Sequence, residues 1–207
     1  MKLTTITQVS VDGVMQGNGP SEMDRRAGFE RDGWAMRHFD SEATTWVEQA
    51  CQQAGAFLFG RRTYDVFALY WGAMAPGSGP IADALNTKPK YVASNTITAP
   101  RWADTTVLSG DLAAAIGKLK AEPRGELQVH GSGALVRWLL DNDLVDEISL
   151  LIVPVVVGQG TRLFPHDGPD MALHLIESRA FPQGITLQVY RPAGRPQYVS
   201  AAPTPGT

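Results

Sequence analysis

Two arginines stand side by side in "FLFGRRTYDVF" (residues 57–67), directly after a short apolar strand that stops at Gly60. Residues from Thr63 to about Tyr70 read as a helix, so Arg61 and Arg62 sit at a strand-to-helix turn. The helix dipole mildly disfavours cations at that end unless an anion compensates. A second turn of the same kind lies in "LQVHGSGALVRWLL", where Gly131-Ser132-Gly133 separates a strand from a helix. Free N–H groups, the helix dipole and close backbone approach suit such a turn to a pyrophosphate. It lacks the third glycine of the dinucleotide fingerprint, with Val136 in that place, and serves equally as a plain tight turn. Ser94 and Asn95 end a third strand, "KYVASN", and offer hydroxyl and amide donors. In a parallel sheet these turns open on one edge, where two anion sites would suit a dinucleotide. The plainer alternative is that both arginines are solvated surface charges.

Proton donors have two candidates, Asp12 at the end of the first strand and Asp40 ahead of a helix. Each has a structural alternative: Asp12 as the turn residue of Asp-Gly, and Asp40 as a helix N-cap. His38, His130, His166 and His174 show no metal-ligand spacing and read as structural or exposed. Cys51 is the only cysteine, which excludes an internal disulfide and a Cys-rich metal site, so no metal is expected. The tryptophans read as core or rim residues, with Trp46 a candidate for stacking on a substrate.

The chain that must position these groups has 207 residues, 43% hydrophobic, with a net charge of -3. It can bury a core as a single domain, and its mixed charge offers no field for nucleic acid or an anionic membrane. The longest apolar stretch, "ISLLIVPVVVG" from Ile148, is too short to span a bilayer and contains Pro154, and the start lacks a signal-peptide core. A cytoplasmic protein is expected. That apolar stretch is either a buried strand or part of a subunit contact.

Residues 2–11 read as a strand, 17–40 as a long loop, and 43–54 as a helix leading into the strand "AFLFG". Strand and helix then alternate: a helical turn near 81–86, strands at 90–94 and 105–109, a helix from Asp111, a strand at 126–131 and a helix at 132–142. This pattern predicts an α/β fold with a mostly parallel central sheet and flanking helices. Residues 145–157, about 172–180, and 184–191 read as strands without intervening helices, an antiparallel C-terminal edge. Residues 192–207 read as a structureless Pro/Ala-rich tail.

The Gly-Arg-Arg-Thr-Tyr element, the "VASN" strand end, "VHGSGALV", the opening "VSVDGVM" and the late "PVVVGQGTRLFP" occur in the order seen in dihydrofolate-reductase-like proteins. Over residues 2–191 the chain resembles the branch containing the reductase (RibD C-terminal) domain of bacterial riboflavin biosynthesis. The resemblance implies one dihydrofolate-reductase-like domain over 1–191 and an NADPH-dependent reductase acting on a carbonyl or imine of a small heterocycle, of pterin or ribosylaminopyrimidine type. By the same resemblance Arg61 and Arg62 hold the 2′-phosphate of NADPH, aided by Ser94 and Asn95. Thr63 and Gly131, Ser132 and Gly133 hold the pyrophosphate, with Gly60 and Ala134 flanking them, and Gln8 and Met15 hold the nicotinamide. A homodimer is also implied. The pterin-binding carboxylate of the family is missing from the matching stretch "ATTW", and the His-x-Glu and Pro-Cys-x-x-Cys pattern of a zinc deaminase is absent. Deaminase activity is therefore not expected. The alternative from another class is a catalytically silent NADP(H)-binding regulatory dimer.

Overall fold

The computed structural model describes residues 1–19 and 26–199. Strand β1 (Lys2–Ser10) is rich in threonine, isoleucine and valine and runs through the middle of the sheet. Helix α1 (Ser41–Gln53) starts where the Asp40 carboxylate accepts the Ala43 N–H at 2.9 Å, and it delivers the chain to β2 (Ala54–Gly60). There follow α2 (Arg61–Tyr70), α3 (Pro80–Thr87), β3 (Lys90–Ala93), β4 (Thr105–Leu108) and α4 (Leu112–Lys120). The chain continues through β5 (Glu126–His130), α5 (Gly133–Asp141), β6 (Glu147–Val153), β7 (Leu173–Ala180) and β8 (Thr186–Pro192).

The eight strands form one sheet in the order β4-β3-β2-β5-β1-β6-β8-β7. Neighbours from β4 to β6 pair in parallel, while β8 runs antiparallel to β6 and to β7. The expected parallel sheet with an antiparallel C-terminal edge is thus the observed one. Alternation along the strands divides the core in two layers. Leu3, Val9, Ala56 and Leu58 pack against Ile116 of α4 and Leu135, Val136 and Leu139 of α5. On the other face, Ile6 and Leu151 meet Ala43 and Trp46 of α1, while Phe57 and Phe59 meet Tyr64 of α2, Leu85 of α3 and Trp102.

Three local departures from the expected pattern have physical causes. Helix α2 starts at Arg61 rather than Thr63, because Gly60 already acts as its N-cap. Strand β6 stops at Val153 rather than running to 157, since Pro154 has no N–H to continue the ladder. Its apolar residues Leu150, Leu151 and Val153 are buried, so this part of the stretch is a core strand. The loop expected over 17–40 contains short 3-10 turns at Arg26–Gly28 and Met36–His38 and is anchored by Phe29, buried against Val14 and Val157. Past β8, Ala193 donates to Ala172 O at 2.8 Å, and Asp170 holds both Arg195 and the Tyr198 hydroxyl at 2.7 Å. The rest of the expected tail, 200–207, lies outside the described residues.

One buried charge secures the α3–β3 corner. Lys90 is fully buried, and its ammonium donates to Leu85 O at 2.9 Å and Lys88 O at 2.8 Å, lying 5.1 Å from the Trp102 ring centre. Those carbonyls belong to the C-terminal end of α3, where the dipole favours a cation. Burial lowers its pKa, yet removing it leaves the carbonyls unpaired and opens a cavity. Lys90→Ala should destabilise the fold by about 3 kcal/mol in urea unfolding, and Lys90→Met, which restores the stem, should cost less.

Candidate functional site

Because β2, β3, β5, β1 and β6 are parallel, their C-terminal ends share one edge, and the turns after β2 and β5 lie side by side there. Ser132 joins them. Its hydroxyl accepts the Gly60 N–H at 3.0 Å and donates to His130 O at 3.2 Å. Its own N–H donates to Thr63 Oγ1 at 3.0 Å. Gly131 and Ser132 both adopt left-handed backbone, at φ 56° and 54°. For serine that conformation costs roughly 1 kcal/mol, offset here by the bonds it allows.

This geometry changes which groups of the turn can meet a phosphate. The Ser132 hydroxyl and N–H are committed to the clamp, and the Gly131 N–H donates to Ile6 O at 3.1 Å. Ser132 and Gly131 therefore shape the turn and do not supply its free donors. The open donors are the first-turn N–H groups of α5, at Gly133 and Ala134, and those of α2, which helical geometry leaves without intrahelical partners. Gly133 has its own steric reason. A Cβ there would lie 2.4 Å from the sulfur of Met15, so its lack of a side chain makes room for Met15.

The two arginines behave differently. Arg61 Nε contacts Asp65 at 2.7 Å, and Arg61 Nη1 donates to Thr96 Oγ1 at 2.7 Å, which orients the guanidinium over the turn after β3. Arg62 is exposed and has no hydrogen bond or ion pair among the described residues. Ser94 Oγ accepts the N–H groups of Thr96 and Ile97, both at 3.2 Å, and so builds that turn, while Asn95 is exposed. Thr96 went unnoticed in the sequence because only the fold brings it to Arg61.

Neither candidate proton donor is available for that role. Asp12 accepts the Ser10 hydroxyl at 2.7 Å and the N–H groups of Val157 and Gly158 at 2.9 and 2.8 Å. Burial raises its pKa, but these bonds more than offset that and bring it down to about 2. It is an ionised clamp between the loop after β1 and the loop after β6. Gln16 Oε1 strengthens the same junction by accepting from Thr161 N–H and Oγ1 at 2.9 and 3.0 Å. Asp40 is the N-cap of α1 and also accepts the Gln183 N–H of the β7–β8 turn at 2.8 Å. The Ala43 N–H first, then that of Gln183, lower its pKa. Glu42 pairs with Arg179 at 2.7 Å on the surface.

On the α1 side of this edge lie Trp46, packed into the cluster of Ile6 and Leu151, and Gln8, half-buried on the same face of β1. His130, the last residue of β5, pairs with Ile6 and joins that face. Cys51 is buried, which pushes its thiol up to about 12 and leaves it unreactive. Two shallow clefts of about 530 and 420 Å³ lie at the opposite edge, by Asp104 and Thr105 and by Pro80 and Lys88, away from every candidate residue. No cluster of metal-ligating residues occurs among the described residues. No helix among them is long and apolar enough to cross a membrane.

The Asp12 clamp has a pH signature. A carboxylate with lowered folded pKa stabilises the fold above its unfolded value near 3.8, and this contribution is lost as pH falls toward about 2. Asp12→Asn should therefore cost about 1–2 kcal/mol at pH 7 in urea unfolding, with the gap to wild type narrowing between pH 4 and pH 2.

The family model of the RibD C-terminal domain matches residues 1–187. Among curated proteins, the chain is 26% identical over 190 residues to the uncharacterized YyaP of Bacillus subtilis, covering 88% of this chain and 90% of that protein. It is 24% identical over 156 residues to the uncharacterized YwjB of the same organism, covering 75% and 84%. A protein of Shewanella sp. PV-4 assigned to riboflavin biosynthesis shares the fold at TM-score 0.66 and 22% identity, over 93% of this chain and 99% of that one. A pyrimidine reductase-like protein of Corynebacterium diphtheriae does so at TM-score 0.62 and 14% identity, over 93% and 92%. The parallel sheet, the stapled pair of turns at its carboxyl edge and the match over nearly the whole chain make this protein a member of the RibD C-terminal domain family.

Proposed function

We propose that the protein is an NADPH-dependent oxidoreductase that transfers a hydride to a carbonyl or imine carbon of a small heterocycle, of pterin or ribosylaminopyrimidine type. The observation that carries this reading is the pairing of two helix N-termini, α2 and α5, at one sheet edge beside Arg61 and Arg62. Such an edge offers two anion subsites, which a dinucleotide with an extra phosphate would fill. Arg61 and Arg62, with Ser94, Asn95 and Thr96, would hold the 2′-phosphate. Thr63 and the N–H groups of Gly133 and Ala134 would hold the pyrophosphate. Gln8 and Met15 would border the nicotinamide.

When bound, NADPH supplies the hydride. The residues of the chain would supply position. The junction of the loops after β1 and β6, held by Asp12 and Gln16, fixes Met15 over the start of α5. Asp12 and Asp40 have lowered pKa values and give up no proton near neutrality, so the product's proton has another source.

Titration of tryptophan fluorescence with NADPH and NADH tests the reading. NADPH should bind more tightly, and the double variant Arg61→Ala/Arg62→Ala should lose about 10- to 100-fold in NADPH affinity with NADH little changed. Arg62→Ala alone should account for more of this loss than Arg61→Ala, because Arg61 already has partners in Asp65 and Thr96. Failure of wild type to bind either nucleotide would refute the assignment.

The homodimer belongs to the same proposal. Strand β7 is an edge strand whose residues are exposed from His174 onward, including Leu175 and Ile176 at 49% and 42%. An edge with exposed apolar side chains favours pairing with a second copy. Light scattering at micromolar concentration should give twice the chain mass; a monomer mass would refute it.

A further inference from the structure

The guanidinium of Arg61 is held by two tethers of unlike charge. Its Nε donates to Asp65 Oδ2 at 2.7 Å, and its Nη1 donates to Thr96 Oγ1 at 2.7 Å. Having accepted from Arg61, the Thr96 hydroxyl directs its own hydrogen to Ser94 Oγ, 3.3 Å away. Ser94 Oγ in turn accepts the Thr96 and Ile97 N–H groups, so the turn after β3 fixes the neutral tether in place. Arg61 Nη2 makes no hydrogen bond among the described residues, and the exposed Arg62 makes none there either.

The charged tether does little for the fold. Arg61 and Asp65 form an i,i+4 pair on α2 with side chains 46% and 37% exposed, and solvent-exposed pairs of this kind contribute little to stability. Their order is also the poorer one, with the cation nearer the helix N-terminus and the acid farther in, against the helix dipole. The first turn of α2 contains no acidic residue, and Asp65 stands one turn in, paired with one of the two arginines. What the carboxylate does change is charge: it compensates Arg61 and leaves Arg62 uncompensated.

We propose that Asp65 is a specificity-determining residue, a built-in counter-ion of Arg61 that lowers the preference for a nucleotide bearing a 2′-phosphate over one with a free 2′-hydroxyl. This deepens the NADPH reading and rests on it. A phosphate monoester carries about two negative charges at neutral pH, and here it meets one free arginine and one already paired with a carboxylate. Removing the carboxylate charge strengthens the attraction for the phosphate, while the Thr96 tether keeps the guanidinium oriented. NADH, whose 2′-hydroxyl carries no charge at that place, gains little from the same change. Asp65 acts through Arg61, and Thr96 is a positioning residue for it.

Asp65→Asn tests this, since the amide oxygen can still accept from Arg61 Nε and only the charge is lost. In fluorescence titrations at low ionic strength, the variant should bind NADPH about 3- to 10-fold more tightly than wild type and NADH within about twofold of it. The gain should shrink as salt is raised and should fall by at least about half in an Arg61→Ala background. Thr96→Val should weaken NADPH about threefold and leave NADH unchanged. Urea midpoints of Asp65→Asn and wild type should coincide; a shifted midpoint with an unchanged NADPH-to-NADH ratio marks a structural role and overturns the proposal. If wild type binds NADPH but Asp65→Asn binds it no more tightly, or gains as much for NADH, the counter-ion role falls and the cofactor reading stands. Binding of neither nucleotide to either protein overturns both.

Discussion

The hydrogen bonds of Ser132 to Gly60, Thr63 and His130 are the constraint on which the candidate site depends. They tie two turns 72 residues apart in sequence, and both helices that follow start from those turns. A hydroxyl that accepts from one turn and an amide that donates to it leave little freedom of relative movement. The remaining N–H groups at the starts of α2 and α5 are thereby held at one place on the sheet edge. Preorganised donors of this kind need little reordering when an anion arrives.

A second layer of order comes from carboxylates that serve as acceptors for backbone N–H groups. Asp12 joins the loops after β1 and β6, and Asp40 joins the start of α1 to the β7–β8 turn. Each is held ionised by the groups it accepts from, which suits it to fixing loops and unsuits it to proton donation near neutrality. On the α1 face, Gln128 ties β5 to Ala50 of α1 and pairs with His130, which packs against Phe57. Positive charge at this edge comes from Arg61 and Arg62 after β2, from Arg137 beside Gly133 and from Arg162 beside Asp12.

Much of the fold was legible because its signals are local. Alternating β-branched residues mark β1, the helical spacing of Ala43, Val47 and Ala50 marks α1, and the repeated strand-helix order implies parallel pairing. The turns carrying Arg61, Arg62 and Gly133 were also legible, since glycines and charges at element boundaries are read from spacing alone. Side-chain assignments inside those turns were less so. Ser132 reads as a phosphate donor until the fold places Gly60 and Thr63 against it, and Gly133 reads as an opening until Met15 is seen above it. The pairing of His130 with Gln128, itself held by Ala50 O, is likewise invisible until the fold brings α1 against β5.

By itself, then, the sequence determined which elements form, that their carboxyl ends share an edge, and which turns carry glycine and positive charge there. These follow from periodicity and from backbone preferences that act over a few residues. Only the tertiary structure decided which donors remain free and which acids are already satisfied. Those outcomes depend on hydrogen-bond partners brought from distant positions, as Gly60 is to Ser132 and Val157 to Asp12. A donor or acceptor has a fixed number of bonds to make, and the sequence gives no count of how many the fold has already filled.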